Sequence, residues 1–399
     1  MYRGGFRWKS AIYHLKFMLI AHTADLHLKD PATPHGAARF AALEQACKAA
    51  ARCDILVIAG DVFDSAKEAA PCRERLRAAL TSLGQVPVLI IPGNHDRLGG
   101  PCPFDDPSFD IGQMRNVRVA PKTPSVALEL RGVHFITLPF EAGKTSAPLV
   151  QLCAALAPSA LKVAVMHGSC DAEAANTPFA FSPENIEEGG DFFIYSSDLA
   201  KAGITYTALG HIHKASLWRQ QQAGVASYPG SPCAVRITEH EQRGFNLVSL
   251  DEKTGAVTVK HEPLAAGLRA ERKSFFCLPG AEEKLGADIE AFFRKAGPAA
   301  YTGVLIEGAG NAALAKTAVQ NAAARAASSL KVPPDVKIMV TSYPEEIEDA
   351  MRIFLEKLAS QAQEHPDKAD LLAKAAAIGI KAIAEPGRQL SPDDLPEGF

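Results

Sequence analysis

The chain reads as a layered α/β protein, on three observations. Short apolar runs bounded by loops recur between residues 17 and 250, stretches with helical spacing lie between them, and the polar residues of five short motifs fall just after several of the runs. Buried strands interleaved with helices give layered α/β architectures. Open sheets of that kind carry their ligands beyond the carboxyl ends of their strands.

The elements follow in order. Phe17–Ala21, Ile55–Ala59, Val86–Ile91, Val133–Leu138, Val163–Met166 and Thr205–Leu209 are the strand-like runs. Arg39–Ala51 sets Phe40, Leu43, Cys47 and Ala50 at helical spacing, and Arg73–Leu83 does so with Leu76 and Leu80. Gly244–Leu250 reads as a further strand before the turn at Asp251–Gly255. Past His261–Leu268 the pattern restarts with a helix over Ala281–Lys295, a strand over Tyr301–Glu307, an alanine-rich helix over Ala312–Leu330 and a strand over Val336–Ser342. Ile347, Met351, Phe354, Leu355 and Leu358 then line one helical face, and Leu371, Leu372, Ala375, Ile378 and Ile383 a second. The expected organisation is a core over residues 18–262, a small α+β unit over 263–343 and a helical C-terminal segment over 344–399 ending in a frayed tail.

Composition narrows the class. A chain of 399 residues exceeds one average domain, and 47% hydrophobic residues supply a substantial core. A net charge of −3 excludes a protein that holds nucleic acid by bulk positive charge, though not one with a local basic groove. Eight cysteines include no C-x-x-C pair, which reads as reduced structural thiols and a cytoplasmic location. At the amino end Arg3, Arg7, Lys9 and Lys16 precede the apolar run Phe17–Ala21, which is too short for a signal core or a membrane span. Met18 would itself make a natural start, so residues 1–17 are expected to form a disordered extension.

Five motifs carry the chemistry: D-L-H at Asp25–His27, G-D-V-F-D at Gly60–Asp64, G-N-H-D at Gly93–Asp96, M-H-G at Met166–Gly168 and G-H-I-H at Gly210–His213. Asp25 and His27, two apart on extended backbone, point the same way and suit one ion. Asp61 follows a glycine at a strand end, where a carboxylate can bridge two ions. Asn94 offers an amide oxygen, and His167, His211 and His213 offer imidazole nitrogens. Mixed nitrogen and oxygen ligation without thiolate favours Mn²⁺, Fe²⁺ or Zn²⁺ over Ca²⁺ or Mg²⁺. One such motif is weak by itself, since a lone buried histidine is usually a satisfied core residue. Five in a fixed order at strand ends point to a two-metal phosphoesterase.

This series resembles the calcineurin-like metallophosphoesterase superfamily. Within it, A-H-T-A-D-L-H-L, G-D-V-F-D, Y-T-A-L-G-H-I-H-K and Y-P-G-S-P at Tyr228–Pro232 are similar to the DNA repair exonucleases of the SbcD and YhaO type. The resemblance covers roughly residues 18–250 and implies a β-sandwich flanked by helices, with residues 263–343 as a capping domain. It implies two divalent cations, manganese first, with Asp25, His27 and His213 on one, Asn94, His167 and His211 on the other, and Asp61 between them. His95 falls at the family's catalytic position, where it would protonate the leaving sugar oxygen; Asp96 would orient it, and His22 and Asp64 would support the site. Lys29, Arg97, Lys214 and Arg219 lie close enough to the motifs to touch a phosphate backbone, whereas Tyr228 and Trp218 are better explained by core packing. The implied partners are DNA, an SbcC-like or YhaN-like coiled-coil ATPase docked on the C-terminal helices, and a second copy in a homodimer, with no membrane association; read as plain structure, the two C-terminal stripes instead pack on their own domain. No G-x-x-x-x-G-K-[ST] loop is present, so any ATP dependence comes from another protein chain. Two other readings stand beside the nuclease: a phosphodiesterase or phosphatase for a small ester such as a cyclic nucleotide, and a non-catalytic scaffold, disfavoured by the intact ligand set.

Overall fold

The computed structural model describes residues 17–120, 122–171, 191–220, 224–277, 282–309, 312–341 and 348–384. Of the expected extension over residues 1–17 only Phe17 is described, as the first residue of a strand, and the frayed tail lies outside the described residues. Strands are β1 (Phe17–Thr23), β2 (Ile55–Ala59), β3 (Val88–Ile91), β4 (Val117–Val119), β5 (Ser125–Leu130), β6 (Val133–Thr137), β7 (Leu161–His167), β8 (Ser169–Cys170), β9 (Phe193–Ile194), β10 (Tyr206–Gly210), β11 (Ser216–Gln220), β12 (Gly224–Tyr228), β13 (Gly244–Asp251), β14 (Val257–Pro263), β15 (Arg269–Cys277), β16 (Ala300–Ala309) and β17 (Asp335–Thr341). The α-helices are α1 (Pro34–Ala50), α2 (Ala69–Thr81), α3 (Pro148–Ala154), α4 (Ser196–Ala202), α5 (Glu282–Ala296), α6 (Ala312–Ala326), α7 (Glu348–Glu364) and α8 (Ala369–Ala384).

Two six-stranded sheets form the first unit, in the orders β14-β13-β1-β2-β3-β4 and β11-β12-β10-β7-β6-β5. In the first, β1 to β4 run parallel and β13 and β14 close one side antiparallel. In the second, β12, β10, β7 and β6 run parallel between antiparallel edges β11 and β5. Ile20, Val57 and Leu89 of the first sheet share one core with Phe135, Val165 and Ala208 of the second. Along β7 the side chains alternate: Val163 and Val165 enter that core, while Ala164 and Met166 pack with Leu149 of α3 and Leu199 of α4. Burial on both faces is why β7 reads as an unbroken apolar run rather than an alternating one.

One polar chain runs through this core. His22 donates from Nε2 to the Leu209 carbonyl (3.2 Å) and accepts at Nδ1 from the Tyr206 hydroxyl (2.7 Å). The Tyr206 oxygen in turn accepts from Ser227 (2.8 Å), and the Ser227 oxygen accepts from Asn246 (3.0 Å). Asn246 Oδ1 accepts from Nδ1 of His261 on β14 (3.0 Å). Burial drives the His22 pKa down to about 3, so the ring is neutral and able to play both roles. His22 is thus a structural support at the root of two ligand-bearing strands, β1 and β10.

A second compact unit gathers Lys29–Ala42, Cys233–Arg243 and Leu264–Phe399. Its sheet is parallel, ordered β15-β16-β17, with α5 and α6 connecting the strands around Phe275, Ile289, Phe293, Val304, Ile306 and Val319. The structure divides the chain differently from the sequence here. Helices α7 and α8, expected as a separate segment, belong to this unit: they share a small core of Met351, Leu355, Leu358, Ala376 and Ile380, and both contact β16. Residues 29–42 and 233–243, expected within the core domain, also belong to it. Within the unit, Ala234 N–H donates to the Leu268 carbonyl and Ala270 N–H to the Glu239 carbonyl, so backbone pairing decides the membership of 233–243.

All eight cysteines are free. Among the described residues no helix is long and apolar enough to cross a membrane. The polar chain generates a stability prediction. Tyr206→Phe leaves His22 Nδ1 without its buried donor, which costs about 1–3 kcal/mol. Urea unfolding should show that loss, whereas the peripheral change Ser82→Ala should lie within about 0.5 kcal/mol of wild type.

Candidate metal centre

The loops after β1 and β2 run on side by side beyond the sheet. Asp25 N–H donates to the Gly60 carbonyl (3.1 Å), His27 N–H to Asp61 (3.0 Å) and Leu28 N–H to Val62 (2.9 Å). This pairing holds Asp25 (φ 53°), His27 (φ 43°) and Asp61 (φ 50°) in left-handed backbone. His211, after β10, has φ 105°. Such conformations cost non-glycine residues about 1–3 kcal/mol each and persist where surrounding structure fixes them. Among the described residues the only other non-glycine case is Arg131, in the turn between β5 and β6. Strain is therefore concentrated on the candidate ligands.

Two groups of donors converge. Asp25, His27 and His213 bring ligand atoms within 4.8 Å of one another, with His27 Nε2 only 2.9 Å from His213 Nε2. Across from them, Asn94 Oδ1 lies 2.9 Å from His167 Nε2 and 3.3 Å from His211 Nδ1. Asp61 Oδ2 reaches both groups, at 3.3 Å from His167 Nε2 and 3.7 Å from His27 Nε2. His167 donates from Nδ1 to the Ala59 carbonyl (2.8 Å), which leaves Nε2 as its ligand nitrogen. Space for this ring depends on glycine: a Cβ on Gly60 would strike His167 Nδ1, and one on Gly93 would strike Asp61 Oδ1.

The electrostatics ask for positive charge. Asp25 and Asp61 are fully buried, and Asp25 Oδ2 has no hydrogen-bond partner. Burial raises the Asp25 pKa to about 6 against the pull of His167 and His213. Burial also opposes ionisation of Asp61, but the neighbouring His167, His27 and His95 overcome it and hold that carboxyl below its usual range. For His167, burial favours the neutral ring, and Asp61 and Asp25 override it, so its pKa lies well above the ordinary histidine value. Buried carboxylates that pull a neighbouring histidine toward its protonated form make a donor set that favours a cation among them. The residues fit borderline divalent metals.

His95 sits beside these groups, its ring 4.6 Å from that of His27. Its N–H donates to Asp61 Oδ1 (2.9 Å) and its Nδ1 to the Asp64 carbonyl (3.0 Å), so Nε2 is the nitrogen left for a ligand. The expectation for Asp96 needs correcting. Its carboxylate does not meet the His95 ring; it accepts from the backbone N–H groups of Gly93 (2.8 Å), Phe63 (2.9 Å) and Val62 (3.2 Å). A tight 3-10 turn over His95–Arg97 points adjacent side chains apart, and Asp96 positions His95 by pinning the turn to the β2 loop. Burial and then Asp61 raise its pKa to about 7.

Several neighbours take other parts. Asp64 Oδ1 lies 3.7 Å from His27 Nδ1. Arg219 donates to the Val257 carbonyl, within the sheet edge. Tyr228 is a core residue whose hydroxyl donates to the Gly168 carbonyl (2.6 Å). One site residue escaped the sequence reading. Asp191, held by the N–H and hydroxyl of Ser169 (3.1 and 2.6 Å), places Oδ1 3.6 Å from His211 Nε2. It follows two glycines outside any motif, so only the fold reveals it.

Residues 18–215 match the calcineurin-like phosphoesterase family. The metallophosphoesterase YhaO of Bacillus subtilis, described as uncharacterized, is 27% identical over 248 residues, 57% of this chain and 56% of that one. The SbcD component of the nuclease SbcCD from the same organism is 27% identical over 258 residues, 56% of this chain and 63% of that one. The DNA double-strand break repair protein Mre11 of Methanopyrus kandleri is 25% identical over 269 residues, 59% of this chain and 54% of that one. The match thus takes in little more than half the length of each relative. Likeness to solved structures, such as a purple acid phosphatase from yellow lupin at 12% identity and TM-score 0.42 over 64% of this chain and 53% of that one, is slight and carries no weight. The family uses a dinuclear metal centre, and this chain carries candidate ligands for one.

Two expected outcomes come from these charges. A cation taken up through His167 would have to displace the proton that its raised pKa favours, so Mn²⁺ affinity should rise about tenfold per pH unit from about pH 6 to 9, and more steeply at the acid end where Asp25 also takes a proton. Calorimetry in buffers of different ionisation heat should detect the released proton; affinity independent of pH would contradict the assignment. Asp191→Asn should weaken Mn²⁺ binding about 10-fold to 100-fold by freeing the His211 ring, with the thermal transition of the metal-free protein retained.

Proposed function

We propose that this chain, which carries a calcineurin-like metallophosphoesterase domain over residues 18–215, hydrolyses phosphodiester bonds in DNA using two divalent cations, manganese first. The observation that carries the reading is the convergence of two donor groups on either side of Asp61, with His95 beside them. Asp25, His27 and His213 would hold one cation and Asn94, His167 and His211 the other, with Asp61 facing both groups. Bound there, the pair supplies Lewis acidity towards phosphate oxygens and acidifies water enough to act as nucleophile near neutral pH.

The chain's own residues do the rest. Asp61 fixes the spacing of the two halves, because its Oδ2 faces both and its Oδ1 accepts the His95 N–H. His95, anchored through Nδ1 to the Asp64 carbonyl, presents Nε2; protonated, it stabilises charge on the phosphate and passes its proton to the departing sugar oxygen. Asp96 and three backbone N–H groups hold the turn that carries His95 against the β2 loop. DNA is the preferred substrate because two relatives are by name part of a nuclease and a DNA repair protein. The net charge of −3, which gives no bulk attraction to a polyanion, favours the alternative of a small phosphoester.

A partner belongs to the same proposal. Helices α7 and α8 expose Ile353 (49%), Leu371 (64%) and Ile378 (37%), apolar side chains suited to docking a coiled-coil ATPase. The decisive experiment is digestion of end-labelled linear DNA by Mn²⁺-loaded protein, with bis(p-nitrophenyl) phosphate in parallel. His95→Ala should lower kcat by about 10²–10⁴ while metal content measured by atomic emission stays at the wild-type value. Ester hydrolysis with DNA left intact, even with a candidate ATPase present, would sink the nuclease reading.

A further inference from the structure

Beside Asn94 the first unit opens into a cleft of about 420 Å³, within the size range of small-ligand sites. Arg97 and Lys122 supply its positive charge, Pro139 and Phe140 its apolar wall, and Glu141 its one acidic group. Glu141 turns its charge toward Lys144, 3.7 Å away. The cleft is continuous with the metal centre on two counts: Asn94 belongs to both, and the Phe140 ring lies 6.0 Å from that of His167.

The two cations are arranged around a single anionic oxygen. Arg97 Nη1 and Lys122 Nζ both approach Asp105 Oδ2, at 3.5 and 3.2 Å. Arg97 closes the His95 turn, where its N–H donates to the Asn94 carbonyl (3.0 Å), so its backbone is as fixed as that of the candidate catalytic histidine. Its Nε is buried and has no hydrogen-bond partner. A guanidinium next to an ammonium, both drawn to one carboxylate oxygen, is a combination suited to a phosphate oxygen. Nothing in the chemistry proposed for the metal centre uses either residue.

We propose that this cleft is a subsite for the phosphodiester next to the one being cleaved, with Arg97 and Lys122 holding that neighbouring phosphate and Pro139 and Phe140 backing its sugar. The inference rests on the nuclease reading and deepens it. A substrate with a second phosphate gains these contacts, and an isolated ester does not. Specificity for a polynucleotide then resides in the cleft, while bond cleavage resides at the metals.

The test compares kcat/KM for a short single-stranded oligodeoxynucleotide with that for bis(p-nitrophenyl) phosphate, which has no neighbouring phosphate, in Mn²⁺-loaded full-length protein. Lys122 is 69% exposed, so Lys122→Ala removes the charge without touching the turn. For Lys122→Ala and for Arg97→Ala the ratio of the two specificity constants should fall about tenfold, through KM for the oligonucleotide. Lys122→Arg should keep the ratio. A parallel fall on both substrates would mean that the residues merely support the His95 turn and would overturn the inference, as would no change on either. Wild-type protein that cleaves the ester but no DNA overturns the nuclease reading itself, an outcome read before any variant is compared.

Discussion

One imidazole joins the two sheets where the chemistry is expected. His167 ends β7 of the second sheet, yet its Nδ1 donates to the Ala59 carbonyl of β2, and its Nε2 lies against Asp61 from the β2 loop and Asn94 from the β3 loop. Every other feature of the centre presupposes that crossing. Gly60 and Gly93 have no side chain because a Cβ there would occupy the volume of this ring or of its carboxylate partner. Asp61 tolerates complete burial because His167, His27 and His95 surround it. The sandwich is held together along its length by ordinary apolar packing, but at the carboxyl edge it is held by charge.

That edge is locally unfavourable, and the surroundings offset it. Left-handed backbone at Asp25, His27 and Asp61 is imposed by parallel pairing that continues past the ends of β1 and β2, where a relaxed loop would have separated. Three backbone N–H groups converge on Asp96 and close the β3 turn onto the same loop. Below lies the chain from His22 through Tyr206, Ser227 and Asn246 to His261, which ties β1, β10, β12, β13 and β14 by directional bonds. Apolar packing alone tolerates small slips between sheets; a chain of directional hydrogen bonds does not. A register fixed by hydrogen bonds is what a site needing sub-ångström placement of donors from both sheets requires.

How much of this was legible in the sequence depends on which face of each strand is buried. β2, β3, β7 and β10 are buried on both sides, so they appear as apolar runs and were placed to within two or three residues. β14 (V-T-V-K-H-E-P) carries charged side chains on one face and β15 (R-A-E-R-K-S-F-F-C) on both, and β4, β5, β11 and β12 are short or flanked by polar residues, so none of them read as strands. The motifs located the candidate ligands because strand ends are marked by composition. They misassigned Asp96, since adjacency in sequence does not reveal that a 3-10 turn sends the carboxylate to backbone donors instead of the next ring. Asp191 was invisible because its partner, Ser169, is 22 residues away and neither belongs to a recognisable pattern.

The proposed separation of bond-breaking from recognition would follow from the same geometry. The donors gathered around Asp61 would meet only the phosphate group of a substrate, which every phosphoester shares. Discrimination has to come from groups reached by the rest of the substrate, and a chain with net charge −3 has to place those groups locally. The turn that carries Asn94 and His95 ends in Arg97, so one short segment supplies a candidate ligand, a candidate acid and a cation facing outward. On the proposed reading, rigidity at Asp96 would serve cleavage and recognition alike, because the carboxylate that holds the His95 turn also holds the backbone from which Arg97 projects. Loss of Asp96 would blur the two together, whereas loss of Lys122, on a different segment, leaves the turn intact. Where two residues act on one substrate through one shared support, their separate contributions become measurable only by changing the one that does not share it.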